Sequence, residues 1–429
     1  MLNVNSSTLL NILSLSVPTL SLYIIWFNRK NIYAHLGVPS LLIAYAGPLI
    51  FYNEAYSKYE VYSLYTKINI IGAISFLIGA LIAKKTPIIN LPLTPFYNIQ
   101  RSYLNVKDNI KKRTFFILLF SCFLVAISYI AMGFTPMFSS DPLAAKFFRG
   151  DYQETYQRVA VFFRTGMSII PIFLPLAILL IKEKFSYRLL FVVLFGFICI
   201  ALSLQRGLIG FSILIPALIY FSYKTRFIFL LVFFMYIFIY VFGAALWWLL
   251  GFAYSNVDSF LEGAMAGSPD VPDQLSFLSR FILDHSFTYG RTFIGGLIPF
   301  GYEWNPSVYT LKVLNGVDDI SEIISGGLRL PVYMWGYVSF SWPGVIGVSF
   351  ISGYLTTHMI LFIKKSSSLA IPLFTLNYIY ATTILLFIVN FYNMSIYSIP
   401  NLFFVFIFYY FVNWKLKVNK KLNSNRGTS

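Results

Sequence analysis

The sequence predicts an all-α polytopic membrane protein, and three observations carry that prediction. Hydrophobic residues make up 58% of the 429-residue chain and charged residues only 11%. A soluble domain of this length cannot hide so much apolar surface, so the solvent that fits it is lipid. Apolar runs long enough, or nearly so, to cross a bilayer recur eleven times. The basic residues between them are dense in alternate connections and sparse in the others, which is a topology signal.

The runs lie near 7–27, 35–52, 68–83, 114–132, 167–182, 187–203, 207–223, 226–250, 337–363, 369–390 and 396–414. The first lacks a basic leader and an A-x-A cleavage site, so it reads as a span. The third and fifth are short, the eighth is long and aromatic, and the ninth has a soft boundary. One alternate set of connections carries 21 basic residues against two acids, Asp108 and Glu183. The other carries 11 basic and 14 acidic residues. By the positive-inside rule the first set is cytoplasmic, which puts the N-terminus outside and the C-terminus inside. An odd number of spans agrees with that. The basic connection Thr86–Arg113 reads as a topology anchor touching anionic lipid.

The net charge of +16 does not point to nucleic acid. It is spread over short connections, with no zinc-ligand spacing and no helix-turn-helix or RNA-binding signature. Cys122 and Cys199 both fall inside predicted spans and read as small buried hydrophobes. No Gly-Lys-Ser/Thr phosphate loop occurs, which disfavours an ATP-driven transporter.

Two outer connections are long, at residues 133–166 and 251–336, and loops of this size beside a membrane are usually functional. They hold an unusual set of outward arginines. Seven of the 11 outer basic residues are Arg149, Arg158, Arg164, Arg206, Arg280, Arg291 and Arg329. A planar donor fork facing outward suits a phosphate or pyrophosphate at the outer leaflet. In the first loop, Asp141-Pro142 signals a helix start. On helical spacing, Lys146, Arg149, Gln153, Gln157 and Arg164 then form one polar stripe, although Gly150 weakens the helix. The stripe reads either as a basic ridge over the membrane or as a solvated face balanced by Asp151 and Glu154. Arg206, in "LQRG" between two spans, reads as a phosphate ligand or as a side chain snorkelling to headgroups.

The second loop opens with the acidic, turn-rich stretch from Ser255 to Gln274. A short amphipathic helix is expected next, capped by Asp273 and closed near Gly290, with Leu275, Leu278, Phe281 and Ile282 on its apolar face. Arg280 and Asp284 are spaced to pair. His285 is the sole outward histidine and can accept a proton near neutral pH, or can simply be a packing residue. Asp284, Glu303 and Glu322 compete with it as candidate bases. Glycines and prolines around 295–306 prevent regular helix, and such backbone is tolerated at membrane level only where it lines a cavity or packs on protein. Arg329 follows two glycines, where the backbone can approach a ligand closely. Tyr289, Tyr302, Trp304, Trp335 and Trp342 read as sugar-stacking platforms or as an interfacial aromatic belt, the latter more so for Trp335 and Trp342.

"PMF…AAKFFRG", "LQRG" and "YGRTFIGGLIPF" followed by "GGLRLPVYMWGYVSFSWPG" give the chain a resemblance to the Wzy-type O-antigen or capsule repeat-unit polymerases. The resemblance implies about eleven membrane helices in a glycosyltransferase architecture of the C type, acting at the outer face of the bacterial inner membrane. It implies transfer of a growing glycan from undecaprenyl pyrophosphate to the terminal sugar of another lipid-linked repeat unit. Arg149, Arg206, Arg291 and Arg329 would hold the pyrophosphate, with Arg164, Arg280, Tyr289, Tyr302 and Trp304 as further substrate contacts. His285, Asp284 or Glu303 would deprotonate the acceptor hydroxyl. No metal or other cofactor is expected, because arginines can neutralise the leaving group. The implied partners are undecaprenyl-pyrophosphate-linked oligosaccharides, the bilayer and a chain-length regulator of the polysaccharide co-polymerase type, with no nucleic acid. An O-antigen ligase shares the donor and differs in its acceptor. A lipid-oligosaccharide flippase would carry charge along a path through its spans, whereas here charges avoid the spans.

Overall fold

The computed structural model describes residues 6–28, 30–41, 58–87, 99, 103–225, 227–235, 270–298, 302–320, 323, 326–365 and 369–426. Among these residues all regular structure is helical. Six helices are long and apolar enough to cross a membrane, at 62–85, 103–138, 142–183, 207–224, 332–365 and 371–389. Shorter apolar helices lie at Ser16–Trp26, Tyr187–Leu202 and Ile399–Val412. Much of the predicted second and eighth runs lies outside the described residues.

In chain order the elements that position the site are α1 (Ser6–Trp26), α2 (Ile32–Leu41), α3 (Tyr62–Lys85), α4 (Tyr103–Met132), α5 (Pro142–Phe147), α6 (Tyr152–Glu183), α7 (Tyr187–Leu202) and α8 (Arg206–Lys224). They are followed by α9 (Asp270–Asp284), α10 (Arg291–Ile294), α11 (Pro306–Asn315), α12 (Val332–Lys365), α13 (Ile371–Val389) and α14 (Ile399–Arg426). Helices α3, α6, α8 and α12 all finish with lysine in their last turn, which complements the carbonyl end of the helix dipole. Side-chain contacts tie these ends together. Lys107 of α4 pairs with Glu183 of α6 at 2.5 Å, the Lys182 ammonium lies 4.5 Å over the Tyr220 ring of α8, and Thr86 Oγ1 is 3.1 Å from His358 Nε2 of α12. The bundle therefore has a basic end, and the connections of the other end carry the loop elements α5, α9, α10 and α11.

Packing divides into two cores. The larger joins α1, α2, α4, α6, α7, α8, α13 and α14 through residues such as Leu118, Phe173 and Phe408. The smaller lies at the loop end, where α9, α11 and the first turns of α12 close over Tyr65 and Ile68 of α3. Large apolar side chains remain exposed in stripes, for example Phe116, Phe120, Phe123 and Ile127 on α4, which is the surface a lipid-solvated bundle presents.

Two predicted elements differ in extent. The residues expected as the second half of the first outer loop belong to α6, whose 32 residues make a rod of about 48 Å. Hydropathy marks only its apolar part, 167–182, as a span. The single polar stripe from Lys146 to Arg164 is broken. Phe148 and Gly150 adopt φ of 56° and 57°, which ends α5 after Phe147, and a new helix starts at Tyr152. Asp141 does cap α5, its carboxylate accepting from the amides of Leu143 and Ala144.

The late span bends sharply. Helix α12 is two limbs joined at Phe340 and Ser341, the latter with φ 56° and ψ −144°. Gly336 and Gly344 meet across the bend, and neither leaves room for a Cβ against the other's carbonyl. The second limb then crosses α3 with Gly353 against the Phe76 backbone and Gly79 against Phe350. Small residues let the two backbones touch, as close membrane-helix packing requires.

Candidate active site

The site is built around the segment that follows α9. This helix starts at Asp270, a turn earlier than expected, with Pro272 in its first turn, where a missing amide is harmless. Asp273 therefore lies inside the helix and is not its cap. The buried face is Val271, Leu275, Phe277, Leu278 and Phe281. Ile282, expected on that face, is 45% exposed, because the helix presents Phe277 inward with Phe281. Gln274 is fully buried and has two partners. Its Oε1 accepts from the Tyr65 hydroxyl at 2.9 Å, and its Nε2 donates to the Arg329 carbonyl at 2.8 Å. It fixes α9 against α3 and against the irregular approach to α12.

Helix α9 ends at Asp284, not near Gly290. Beyond it the chain is irregular, and its backbone finds partners in two neighbours. The amides of Thr288 and Tyr289 donate to the carbonyls of Val338 and Ser339 at 3.0 and 3.1 Å, the groups left open where α12 bends. The carbonyls of Phe293 and Gly296 accept from Met394 and Ile396, between α13 and α14. Thr288 Oγ1 also meets Ser339 Oγ at 3.1 Å. Irregular backbone satisfied on both sides in this way can hold a fixed shape at membrane level.

Helix α11 supplies the facing wall. The Asn305 side chain caps it on the Ser307 amide, Pro306 occupies its first position, and Gly316 closes it with φ 66°. The Trp304 ring stacks on Tyr309 at 5.8 Å and 22°. Between α9 and α11 lies a cavity of about 420 Å³ lined by Asp284, His285, Glu303, Trp304, Tyr309, Lys312 and Asp318, among others. Three of the four candidate bases, Asp284, His285 and Glu303, thus converge on one cavity. Its charge is mainly acidic, with three carboxylates facing Lys312, whose ammonium lies 3.7 Å from Asp318. The imidazole of His285 stacks 6.5 Å from Phe281 at 16°, and its buried Nδ1 has no hydrogen-bond partner. Burial pushes the Tyr309 phenol above its ordinary range, so it stays protonated as a donor at neutral pH.

The arginines are distributed. Arg291 sits at the rim, its guanidinium 5.0 Å over the Trp304 ring. Arg280 is exposed on α9 and forms no ion pair with Asp284. Arg329 is exposed and held through its carbonyl by Gln274. Arg149 is half-buried just after α5, with a buried Nε that lacks a partner. Phe147 packs against Gly326, so the chain segments that carry Arg149 and Arg329 lie side by side. Arg164 is turned to the Tyr156 hydroxyl on its own helix, and Arg158 pairs with Glu154. Tyr289 is 72% exposed with φ 49°. The side chains of Arg206 and Tyr302, and Glu322 altogether, lie outside the described residues.

Tyr309, Lys312 and Asp318 were not singled out from the sequence. For the first two the signal was present, since Asn305-Pro306 and Gly316 bracket a ten-residue helix that brings Tyr309 and Lys312 to the cavity. Comparison with protein-family models, curated proteins and solved structures gave no match.

Proposed function

We propose that this chain is a membrane glycosyltransferase that polymerises undecaprenyl-pyrophosphate-linked oligosaccharide repeat units into a surface polysaccharide. In this reading it crosses the bacterial inner membrane about eleven times, in a C-type glycosyltransferase architecture, with the cavity on the outer face. The observation that carries it is the convergence of Asp284, His285 and Glu303 on one cavity walled by the Trp304–Tyr309 stack. An aromatic wall with carboxylates and a buried phenol is chemistry suited to a sugar, whose faces stack and whose hydroxyls donate and accept.

The step joins an acceptor hydroxyl oxygen to the anomeric carbon of the donor glycan. The bond from that carbon to the pyrophosphate oxygen breaks, and its electron pair leaves with the pyrophosphate. The acceptor proton passes to His285, which lines the cavity, with Asp284 and Glu303 orienting the acceptor. Arg291 over the Trp304 ring and the adjacent segments of Arg149 and Arg329 supply planar cations for the leaving group, and the family resemblance adds Arg206 to them.

The test is product analysis with purified protein and lipid-linked repeat units, resolved by size. A ladder of regularly spaced lipid-linked products is expected. His285→Gln should lower chain growth about a hundredfold or more, the usual scale for a general base. Arg329→Ala should abolish growth while expression persists, with Arg329→Lys rescuing poorly because it lacks the fork. Transfer only to added lipid A core would make the protein a ligase. Unchanged substrate under both conditions would point to transport.

A further inference from the structure

Toward the basic end of the bundle, α4 and α14 run antiparallel and leave an open groove of about 290 Å³. Its walls are apolar and mostly aromatic: Phe116, Ile117 and Phe120 from α4, and Phe404, Phe408 and Phe411 from α14. The Phe120 and Phe404 rings meet at 5.9 Å at its deep end. At the other end the Arg113 guanidinium lies 4.6 Å over the Phe411 ring. Arg113 and Phe120 are seven residues apart, so the groove runs about 10 Å along the helix.

Arg113 is the informative residue. Its Nε is buried and has no hydrogen-bond partner. The neighbouring cations are otherwise engaged. Lys107 pairs with Glu183, Lys111 donates to the Lys184 carbonyl, and Lys112 lies 5.9 Å over the Phe116 ring. A buried donor without an acceptor is costly, and a guanidinium more so. An aromatic groove with such a cation at its shallow end is complementary to a molecule with an anionic head and an apolar tail.

We infer that this groove binds one anionic phospholipid, with its phosphodiester on Arg113 and an acyl chain lying between Phe116–Phe120 and Phe404–Phe411. The planar fork of arginine matches two phosphate oxygens, and the Phe411 ring holds that plane in place. A zwitterionic lipid brings an ammonium beside Lys112 and is disfavoured, while an anionic headgroup is drawn to the cluster. This site lies away from the acidic cavity and does not depend on the reaction assigned there.

The experiment is native mass spectrometry of the full-length, delipidated protein in detergent, with phosphatidylglycerol or phosphatidylcholine added at equal concentration. One phosphatidylglycerol should be retained about tenfold more tightly than phosphatidylcholine. Arg113→Gln should erase that preference, and Ile117→Trp, which fills the groove but keeps the arginine, should weaken phosphatidylglycerol binding. Lys365→Gln, at the same end on α12, should leave it unchanged. Equal retention of the two lipids by the unaltered protein, or a full preference in Arg113→Gln, would overturn the site. If Arg113→Gln fails to fold, undiminished phosphatidylglycerol binding by Ile117→Trp overturns it instead.

Discussion

Gln274 is the residue on which the loop end most depends. It is a neutral side chain in a fully buried position, and both ends of its amide are used. Replacing it with leucine keeps the volume but removes two buried hydrogen bonds, one from the Tyr65 hydroxyl and one to the Arg329 carbonyl. A buried carbonyl that loses its donor costs about 1–3 kcal/mol. Gln274→Leu should therefore lower the thermal midpoint of the purified protein clearly, by the equivalent of about 2 kcal/mol or more, and should weaken any function of Arg329 without touching that side chain. An unchanged midpoint would show that water or other groups replace both hydrogen bonds. Nothing in the sequence marked Gln274, because a lone glutamine in an amphipathic stretch has no pattern; its role exists only where α3, α9 and the approach to α12 meet. His285 and Trp304 were legible for the opposite reason. Each is a rare residue type at its place in the chain, and rarity is a signal that one sequence can carry.

At the scale of elements the bend of α12 shapes the site. The two limbs touch at Gly336 and Gly344, and the open carbonyls of Val338 and Ser339 receive the Thr288 and Tyr289 amides. The segment after His285 is thus anchored by a break in a helix. Pro343 is the visible signal of the bend, since it has no amide to return to the Ser339 carbonyl, whereas Phe340 and the left-handed Ser341 are ordinary residues that no sequence rule marks. The glycines beside it were visible, but they had no assigned partner until the limbs met. Gly344→Ala should force the limbs apart and destabilise by about 1–3 kcal/mol, the range for overpacking. Gly347→Ala, three residues on and facing open space, should be neutral or stabilising by up to about 1 kcal/mol, because alanine favours helix. Comparing the thermal midpoints of the two variants checks this, and equal effects would remove the bend as the cause.

For the whole molecule, hydropathy located the apolar parts of helices and understated the helices themselves. Helix α4 begins at Tyr103, eleven residues before the apolar run at 114, because Lys107 finds Glu183 and Tyr103 donates to the same carboxylate. Helix α6 likewise extends through Gln153 and Gln157 beyond its apolar part. Polar turns remain helical when neighbouring helices hold them, a tertiary effect that no local window contains. The charge asymmetry reads differently, since it is a sum over many residues and survives errors at any one boundary. The lysine-terminated ends of α3, α6, α8 and α12 gather at one end of the bundle, and the acidic cavity lies among the loop elements of the other. The positive-inside rule then predicts an orientation. A cysteine at Asp151 should react with a membrane-impermeant maleimide in intact spheroplasts, and one at Lys365 should react only after permeabilisation. The two natural cysteines, Cys122 and Cys199, are buried and add little background. The reverse pattern would place the cavity on the cytoplasmic side, where a lipid-linked unit would meet it before translocation, and polymerisation at the outer face would be lost with it. Labelling of both without permeabilisation would instead break the assignment of the lysine-rich end to the inner side.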